Sequence, residues 1–411
     1  MRAGLLGRKL GHSFSPRIHA RFGDYGYDLF EVEPDGLDAF MKSDRWDALN
    51  VTIPYKRDVI PYCAELSPAA RAIGSVNTLV RRADGAIFGD NTDAAGLRAM
   101  MDALNISARG KKALVLGSGG ASLTARHVLE EAGAEPVVVV SRSGPDNYEN
   151  LSRHADARIL VNTTPVGMYP NCPAAPLKLE SLPALEAVLD VVYNPARTGL
   201  LMDAQSRNIP CVGGLRMLVE QARAASERFT GQKIPRARAE DVLRELRRDT
   251  MNIIVAGMPG SGKTTVARLI AERTGRTLVD TDELIVEAVG CSIPEYFQSH
   301  TEAEFRAAES EAIARAGRGS GLVIATGGGC VTRSENYAPL HQNGAIFFLR
   351  RALSLLPTDG RPLSQRNSLE ALYAARLPLY RAFADAEIEN MGAPEDTAAR
   401  ILEVYDEISG A

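Results

Sequence analysis

The sequence is poor in the features that mark several large protein classes. Its five cysteines, at positions 63, 172, 211, 291 and 330, are scattered, odd in number and never spaced C-x-x-C. Such a set argues against a disulfide framework and a zinc site, and for small buried thiols in a reducing cytoplasm. Neither sign of charge dominates: 47 Lys and Arg stand against 51 Asp and Glu. That balance gives no sign of a nucleic-acid binder or a polybasic membrane protein. No apolar run is long enough to span a bilayer, and the first residues lack a signal-peptide core. Repeats and low-complexity tracts are missing too. The expectation is a cytoplasmic protein with small-molecule partners, monomeric or homodimeric. What the chain does have is length: 411 residues are enough for two or three domains with cores of their own.

The firmest positive signal is Gly257-Met258-Pro259-Gly260-Ser261-Gly262-Lys263-Thr264-Thr265. An apolar run, Met251 to Ala256, precedes it and reads as a buried strand; Val266 to Ala271 follows and reads as a helix. Strand, glycine loop, Gly-Lys-Thr and helix make a phosphate loop. Its backbone N–H groups at a helix N-terminus favour phosphate oxygens. Lys263 would reach the outer phosphates and Thr264 would ligate Mg²⁺.

Upstream, Gly11-His12-Ser13-Phe14-Ser15-Pro16 leads into a helix from Arg17. Ser15 before Pro16 suits an N-cap, which leaves Ser13 free for a small anion or polyol. In Asn50 to Lys56, Val51 and Ile53 are expected to bury on one face. Pro54 then limits the strand and Lys56 stands at its end. Polar loops follow at Gly74 to Thr78 and Gly89 to Asp93, with Thr92 or Asp93 available to cap the helix from Ala94. The strand Ala113–Leu116 runs into Gly117-Ser118-Gly119-Gly120-Ala121-Ser122 and a helix, a Rossmann-type phosphate turn. The next strand ends at Ser141-Arg142-Ser143. An arginine there suits a 2′-phosphate, so the chemistry favours NADP over NAD. Further strands are read at Arg158–Asn162 and Val188–Val192, then helices from Gly214 and from Arg238.

After the phosphate loop, Thr277 to Asp280 reads as a short strand, and Asp280-Thr281-Asp282 opens a helix. Asp282 can cap a helix, or the two carboxylates can serve Mg²⁺ and a substrate hydroxyl. Glu304-Phe305-Arg306 lies on a helix. Gly327-Gly328-Gly329 follows a buried strand and leaves room for a ligand against the backbone. Asp359 to Pro362 reads as a lid loop, and Arg376 lies on a late helix.

These motifs carry a resemblance. Residues 1 to 248 resemble shikimate dehydrogenase in Gly11 to Pro16, Asn50 to Lys56, Ser75 to Thr78, Gly89 to Asp93, Gly117 to Ser122 and Gly214 to Gln221. Residues 251 to 411 resemble shikimate kinase in the phosphate loop, Asp280 to Asp282, Glu304 to Arg306, Gly327 to Gly329, Arg361 to Leu363 and Arg376 to Tyr380. The resemblance implies an α/β chain of three parts. Residues 1–95 and 215–248 would form an α/β substrate-binding part and 96–214 a Rossmann NADP part. Residues 251–411 would form a P-loop domain like the nucleoside-monophosphate kinases.

It also implies roles. Ser13 and Ser15 look like holders of the substrate carboxylate. Thr52, Asn77, Asp93, Tyr193 and Gln221 look like partners of the ring, and Lys56 with Asp93 like the catalytic pair. Gly117, Ser118, Gly119, Gly120, Ala121, Arg142, Val191 and Gly214 would line the NADPH site. In the second half Asp282, Arg306, Gly328 and Arg376 look like shikimate contacts, with Asp282 oriented to the attacking hydroxyl. Gly260, Ser261, Gly262, Lys263, Thr264 and Thr265 would hold ATP, Thr264 and Asp280 would hold Mg²⁺, and Arg361 would close on the transferring group with Lys263. Two departures mark this chain: one helix–strand unit and the family's second basic residue are missing after Arg142. The stretch Leu349 to Arg361 is also short, so no adenine-contacting arginine is placed. Two rival readings are a quinate dehydrogenase using NAD, against which Arg142 speaks, and a non-catalytic sensing module in one half. Against the second stand Lys56 with Asp93 and Lys263 with Asp280, Asp282 and Arg361.

Overall fold

Short buried strands carry the architecture, in a computed structural model that describes residues 1–11, 13–356 and 369–410. The chain divides into two units: residues 1–168, 174–193 and 200–243 form the first, and residues 169–173, 194–199 and 244–411 the second.

The first unit holds two sheets. One comprises β1 (Arg2–Gly7), β2 (Gly26–Glu31), β3 (Ala48–Val51), β4 (Glu65–Leu66), β5 (Thr78–Arg81) and β6 (Ile87–Asp90), in the order β2-β1-β3-β5-β6-β4. β1 is parallel to β2 and β3, and β5 runs antiparallel to β3 and β6. The other comprises β7 (Ala113–Leu116), β8 (Val137–Val140), β9 (Ile159–Asn162), β10 (Ala187–Asp190) and β11 (Cys211–Gly213), all parallel in the order β11-β10-β9-β7-β8. Chain direction across this sheet reverses between β7 and β9. Such a switch point opens a crevice at the carboxyl ends of the strands. β8 is an edge strand. Between it and β9 the described chain forms only the 3-10 turn Leu151–His154, so the sheet stops where the sequence lacks a helix–strand unit.

Two local expectations fail in the first unit. β3 stops at Val51 because Tyr55 N donates to Thr52 O in a turn and Pro54 has no N–H to continue the ladder. Ile53 is therefore 77% exposed and does not share Val51's buried face. Ser15 is not a cap: the helix Ser15–His19 begins at it, Phe14 holds the cap position, and Ser13 Oγ accepts from Ser15 N at 3.2 Å. The last helices of the unit return to the first sheet, where Ala225 and Phe229 pack with Ala3 and Ala48.

The second unit is one parallel sheet of β12 (Asn252–Ala256), β13 (Leu278–Asp280), β14 (Val323–Ala325), β15 (Gly344–Arg350) and β16 (Ala386–Glu389), in the order β13-β14-β12-β15-β16. After Asn252, β12 is apolar because both its faces are covered. Ile253 and Val255 pack with Val266, Ile270 and Ile401 on one side; Ile254 and Ala256 pack with Ile313, Phe348 and Tyr380 on the other. Two excursions of the preceding chain belong to this unit. Ala196 N donates to Asn343 Oδ1 at 2.8 Å, and Arg197 N donates to Gln342 O at 2.9 Å. Arg197 Nη1 donates to His341 O and Gly344 O at 2.7 and 3.0 Å, and Tyr169 Oη to Gly317 O at 3.1 Å. Among the described residues no helix is long and apolar enough to cross a membrane.

Candidate active sites

In the first unit Lys56, Asp93 and Asn77 converge. Lys56 Nζ lies 2.6 Å from Asp93 Oδ2, and Asn77 Nδ2 donates to Asp93 Oδ1 at 2.9 Å. Asn77 is oriented in turn, because its Oδ1 accepts Thr92 N at 2.7 Å. Asp93 is the first residue of the helix Asp93–Ala103, where the helix dipole favours a carboxylate. Neither Thr92 nor Asp93 caps that helix by its side chain: the Thr92 hydroxyl turns to Thr78 Oγ1 at 3.0 Å. Lys56 is half-buried and Asp93 buried, with side-chain exposures of 24% and 13%.

Ser13 and Ser15 flank Phe14, whose ring lies 6.0 Å from that of Tyr193. The loops after β1 and β10 thus meet. Thr52 packs its methyl against Gly7, where a Cβ would fall 2.7 Å from Thr52 Cγ2. Gln221 turns back on its own helix, donating to Leu218 O at 2.9 Å. Sequence reading missed a buried polar layer. Tyr27 donates to Asn50 Oδ1 at 2.8 Å, and His19 Nδ1 meets Tyr25 Oη at 2.8 Å. Burial pushes the His19 imidazole down to about 3, so it stays neutral.

The phosphate turn after β7 sits at the switch point. Gly117 has φ +103°, and a Cβ there would fall 3.0 Å from Thr163 Oγ1 at the end of β9. Gly119 caps the helix Gly120–Glu131 with extended backbone, and a Cβ on Gly119 or Gly120 would meet nothing within 4 Å. Ser118, Gly119 and Gly120 are exposed and Ala121 is half-buried, leaving an open helix N-terminus of the kind that takes a pyrophosphate. Arg142 is exposed two residues beyond β8. Gly214 N donates to Val192 O at 3.0 Å, and a Cβ on Gly214 would run into Val191 O.

In the second unit a cavity of about 500 Å³ is lined by Gly260, Gly262, Lys263, Thr264, Thr265, Asp280, Asp282, Arg306, Gly328 and Arg376. Gly260 and Gly262 have φ +83° and +90°, which L side chains disfavour. The helix Lys263–Thr274 thus starts with N–H groups on the cavity and no side-chain cap. Lys263 Nζ donates to Met258 O at 3.0 Å. Thr264 Oγ1 donates to Asp280 Oδ2 at 3.0 Å, so two hard oxygen donors stand together, as Mg²⁺ prefers. The helix cap is Asp280 and not Asp282: Asp280 Oδ1 accepts Asp282 N at 2.9 Å. Asp282 is thereby free for the cavity. Burial first, and then the Asp280 charge, push its carboxyl up to about 6 against the pull of Lys263.

Arg306 is held by Glu309 Oε2 at 2.7 Å and Glu302 Oε1 at 3.2 Å. Arg376 Nη1 and Tyr380 Oη donate to Gly328 O at 2.8 and 2.6 Å. Glu309 was missed from sequence, with the i, i+3 spacing from Arg306 as the available signal, and Tyr380 was named in a motif without a role of its own. The three glycines admit protein as much as ligand. A Cβ on Gly327 would fall 2.5 Å from Glu309 Oε1 and 2.8 Å from Asp282 Oδ1, and one on Gly328 would fall 2.6 Å from Pro259 Cδ. Arg361 and the Asp359–Pro362 loop lie outside the described residues.

Known proteins resemble both units. A family model described as shikimate kinase matches residues 259–406. The shikimate dehydrogenase substrate binding domain matches residues 5–79, and the shikimate 5′-dehydrogenase C-terminal domain matches residues 214–244. A shikimate dehydrogenase (NADP(+)) of Clostridium perfringens is 35% identical over 265 residues, covering 59% of this chain and 97% of its own. One from Geobacillus kaustophilus is 37% identical over 256 residues, covering 56% and 92%. Among solved structures, a chorismate mutase/shikimate 5-dehydrogenase fusion protein from Clostridium acetobutylicum superposes with a TM-score of 0.56 at 34% identity, covering 59% of this chain and 95% of that one. A shikimate 5-dehydrogenase from Thermus thermophilus in complex with NADP(H) and shikimate gives 0.54 at 32% identity, covering 60% and 99%.

Proposed function

We propose, for a chain that belongs to the shikimate dehydrogenase family over its first half and carries a shikimate kinase domain in its second, two consecutive reactions on one ring. The first reduces 3-dehydroshikimate to shikimate; the second phosphorylates the new hydroxyl to give shikimate 3-phosphate. Bound NADPH supplies the hydride, and Mg-ATP the phosphoryl group.

Reduction leaves an alkoxide at carbon 3 that needs a proton. Lys56 Nζ donates it, with Asp93 holding the amine in place at 2.6 Å. Ser13 and Ser15 hold the carboxylate; Thr52, Asn77, Tyr193 and Gln221 surround the ring. Arg142 takes the 2′-phosphate of the dinucleotide whose pyrophosphate rests on Gly117 to Ala121, beside Val191 and Gly214. In the kinase, Arg306 and Arg376 take the carboxylate and Gly328 lies against the ring. Asp282 orients the 3-hydroxyl and accepts its proton. Gly260 to Thr265 cradle the phosphates, Thr264 and Asp280 hold Mg²⁺, and Lys263 with Arg361 neutralises charge on the moving group. The protein acts in the cytoplasm, as a monomer or homodimer.

The observation that carries this reading is the meeting of a phosphate loop, Asp282 and two arginines in one small cavity of a chain whose other unit pairs Lys56 with Asp93. A coupled assay with 3-dehydroshikimate, NADPH and ATP tests it. Lys56→Ala is expected to stop NADPH oxidation and keep shikimate-dependent ADP release, and Lys263→Ala to do the reverse. Wild-type protein that releases no ADP with shikimate would refute the kinase assignment.

A further inference from the structure

The phosphate loop is gripped by one buried polar side chain, held in turn by a second, and the proposed reaction uses neither. Asn390 follows β16 directly, and its backbone N–H donates to Arg350 O at 2.8 Å. Its side-chain Nδ2 donates to Ser261 O at 2.7 Å, inside the phosphate loop. Its Oδ1 accepts the Thr397 hydroxyl at 2.9 Å, from the first turns of the helix Pro394–Ser409. Asn390 is 3% exposed and Thr397 4%. The direction of the chain is fixed by chemistry: a carbonyl only accepts, so the amide must present Nδ2 to Ser261 and Oδ1 to Thr397, whose hydroxyl then donates.

A trans peptide is planar, so its C=O and N–H point opposite ways. Holding Ser261 O toward Asn390 aims the N–H of Gly262 away from Asn390. Gly262 lines the cavity and is the cap of the helix whose N-terminus faces it. The same residue needs glycine for two reasons: φ is +90°, and a Cβ would fall 2.9 Å from Asn390 Nδ2. Left to itself, the 261–262 peptide has no regular secondary structure to hold it, since the helix begins only at Lys263. Asn390 supplies that restraint from a separate strand.

We propose that Asn390, itself oriented by Thr397, is a positioning residue for the nucleotide: it sets the 261–262 peptide plane and so presents the Gly262 N–H to phosphate. The inference rests on the nucleotide-binding reading of this loop. It predicts a loss confined to the nucleotide side, because none of the groups assigned to shikimate bonds to Asn390 or Thr397 among the described residues.

The test uses the full chain and Asn390→Ala, Thr397→Val and Thr397→Ser. Dissociation constants for Mg-ADP come from calorimetry, and KM values for ATP and shikimate from ADP release. A net hydrogen bond is worth about 1 kcal/mol and tenfold is 1.4, so Asn390→Ala should raise the Mg-ADP Kd and the ATP KM roughly five- to tenfold. The shikimate KM and the NADPH-dependent rate should stay within about twofold. Thr397→Val should show a smaller change of the same kind, and Thr397→Ser, which keeps the hydroxyl, should restore the wild-type values. An unchanged ATP KM in Asn390→Ala, or equal rises in the ATP and shikimate KM values, overturns the proposal. If Asn390→Ala does not fold, the Thr397 pair decides: equal ATP KM values for Val and Ser overturn it. Wild-type protein that binds no Mg-ADP would instead sink the kinase reading beneath it.

Discussion

Lys56 and Asp93 face each other across 2.6 Å in a setting where water reaches both only in part. In that arrangement the carboxylate fixes where the Lys56 side chain points. Asp93→Asn preserves shape and removes the charge. We expect the NADPH oxidation rate to fall by about 10²–10³, a typical share for one acid–base partner, with kinase turnover unaltered in the same sample. Asp282 makes the opposite case, a carboxyl that burial and Asp280 hold near 6. Its folded value lies above its unfolded one, so the folded state keeps the proton longer. Stability from this group is intact below about 4 and is lost as pH rises to about 6. Across that window the metal-free second unit should lose roughly 2–3 kcal/mol through this group. Asp282→Asn should flatten the dependence, read as urea midpoints at pH 4 and pH 8 by circular dichroism.

At the scale of elements, glycines decide how closely pieces approach. Gly214 lies where a Cβ would run into the Val191 carbonyl, and backbone yields less readily than a side chain. Gly214→Ala should destabilise the first unit by about 1–3 kcal/mol, as overpacking does, and weaken NADPH binding. The chain's one tryptophan, Trp46, is buried in that unit and reports its unfolding by fluorescence. Strands with continuous apolar runs and helices opened by glycine loops were legible in sequence, because hydrophobic pattern and φ requirements are local properties. The end of β3 was misread because a turn at Thr52 overrode the alternation of Val51 and Ile53. Ser15 was misread as a cap because the helix begins one residue earlier, with Phe14 at the cap position, and of the two roles open to Asp282 the cap falls to Asp280. Asn390 was invisible for another reason. Its partners, Ser261 O and the Thr397 hydroxyl, are brought up by folding, and no motif records a carbonyl.

For the whole molecule, the order of the chain and the order of the units differ. Residues 169–173 and 194–199 belong with residues 244–411, and Arg197 alone makes two side-chain bonds to carbonyls there. A fragment of residues 244–411 lacks those partners and leaves His341 O, Gln342 O, Asn343 and Gly344 O to water. It should unfold at lower urea than the same unit in the full chain, by about 2–4 kcal/mol for the several hydrogen bonds lost. Equal midpoints would show that the excursions add nothing. The excursions also set a clock on synthesis. Arg197 bonds to Gly344, 147 positions later. At about 5–20 residues per second a ribosome needs on the order of ten to thirty seconds to make the difference. Through that interval the segment just past Tyr193 waits for its anchor, so part of the second unit is made well before the rest of it.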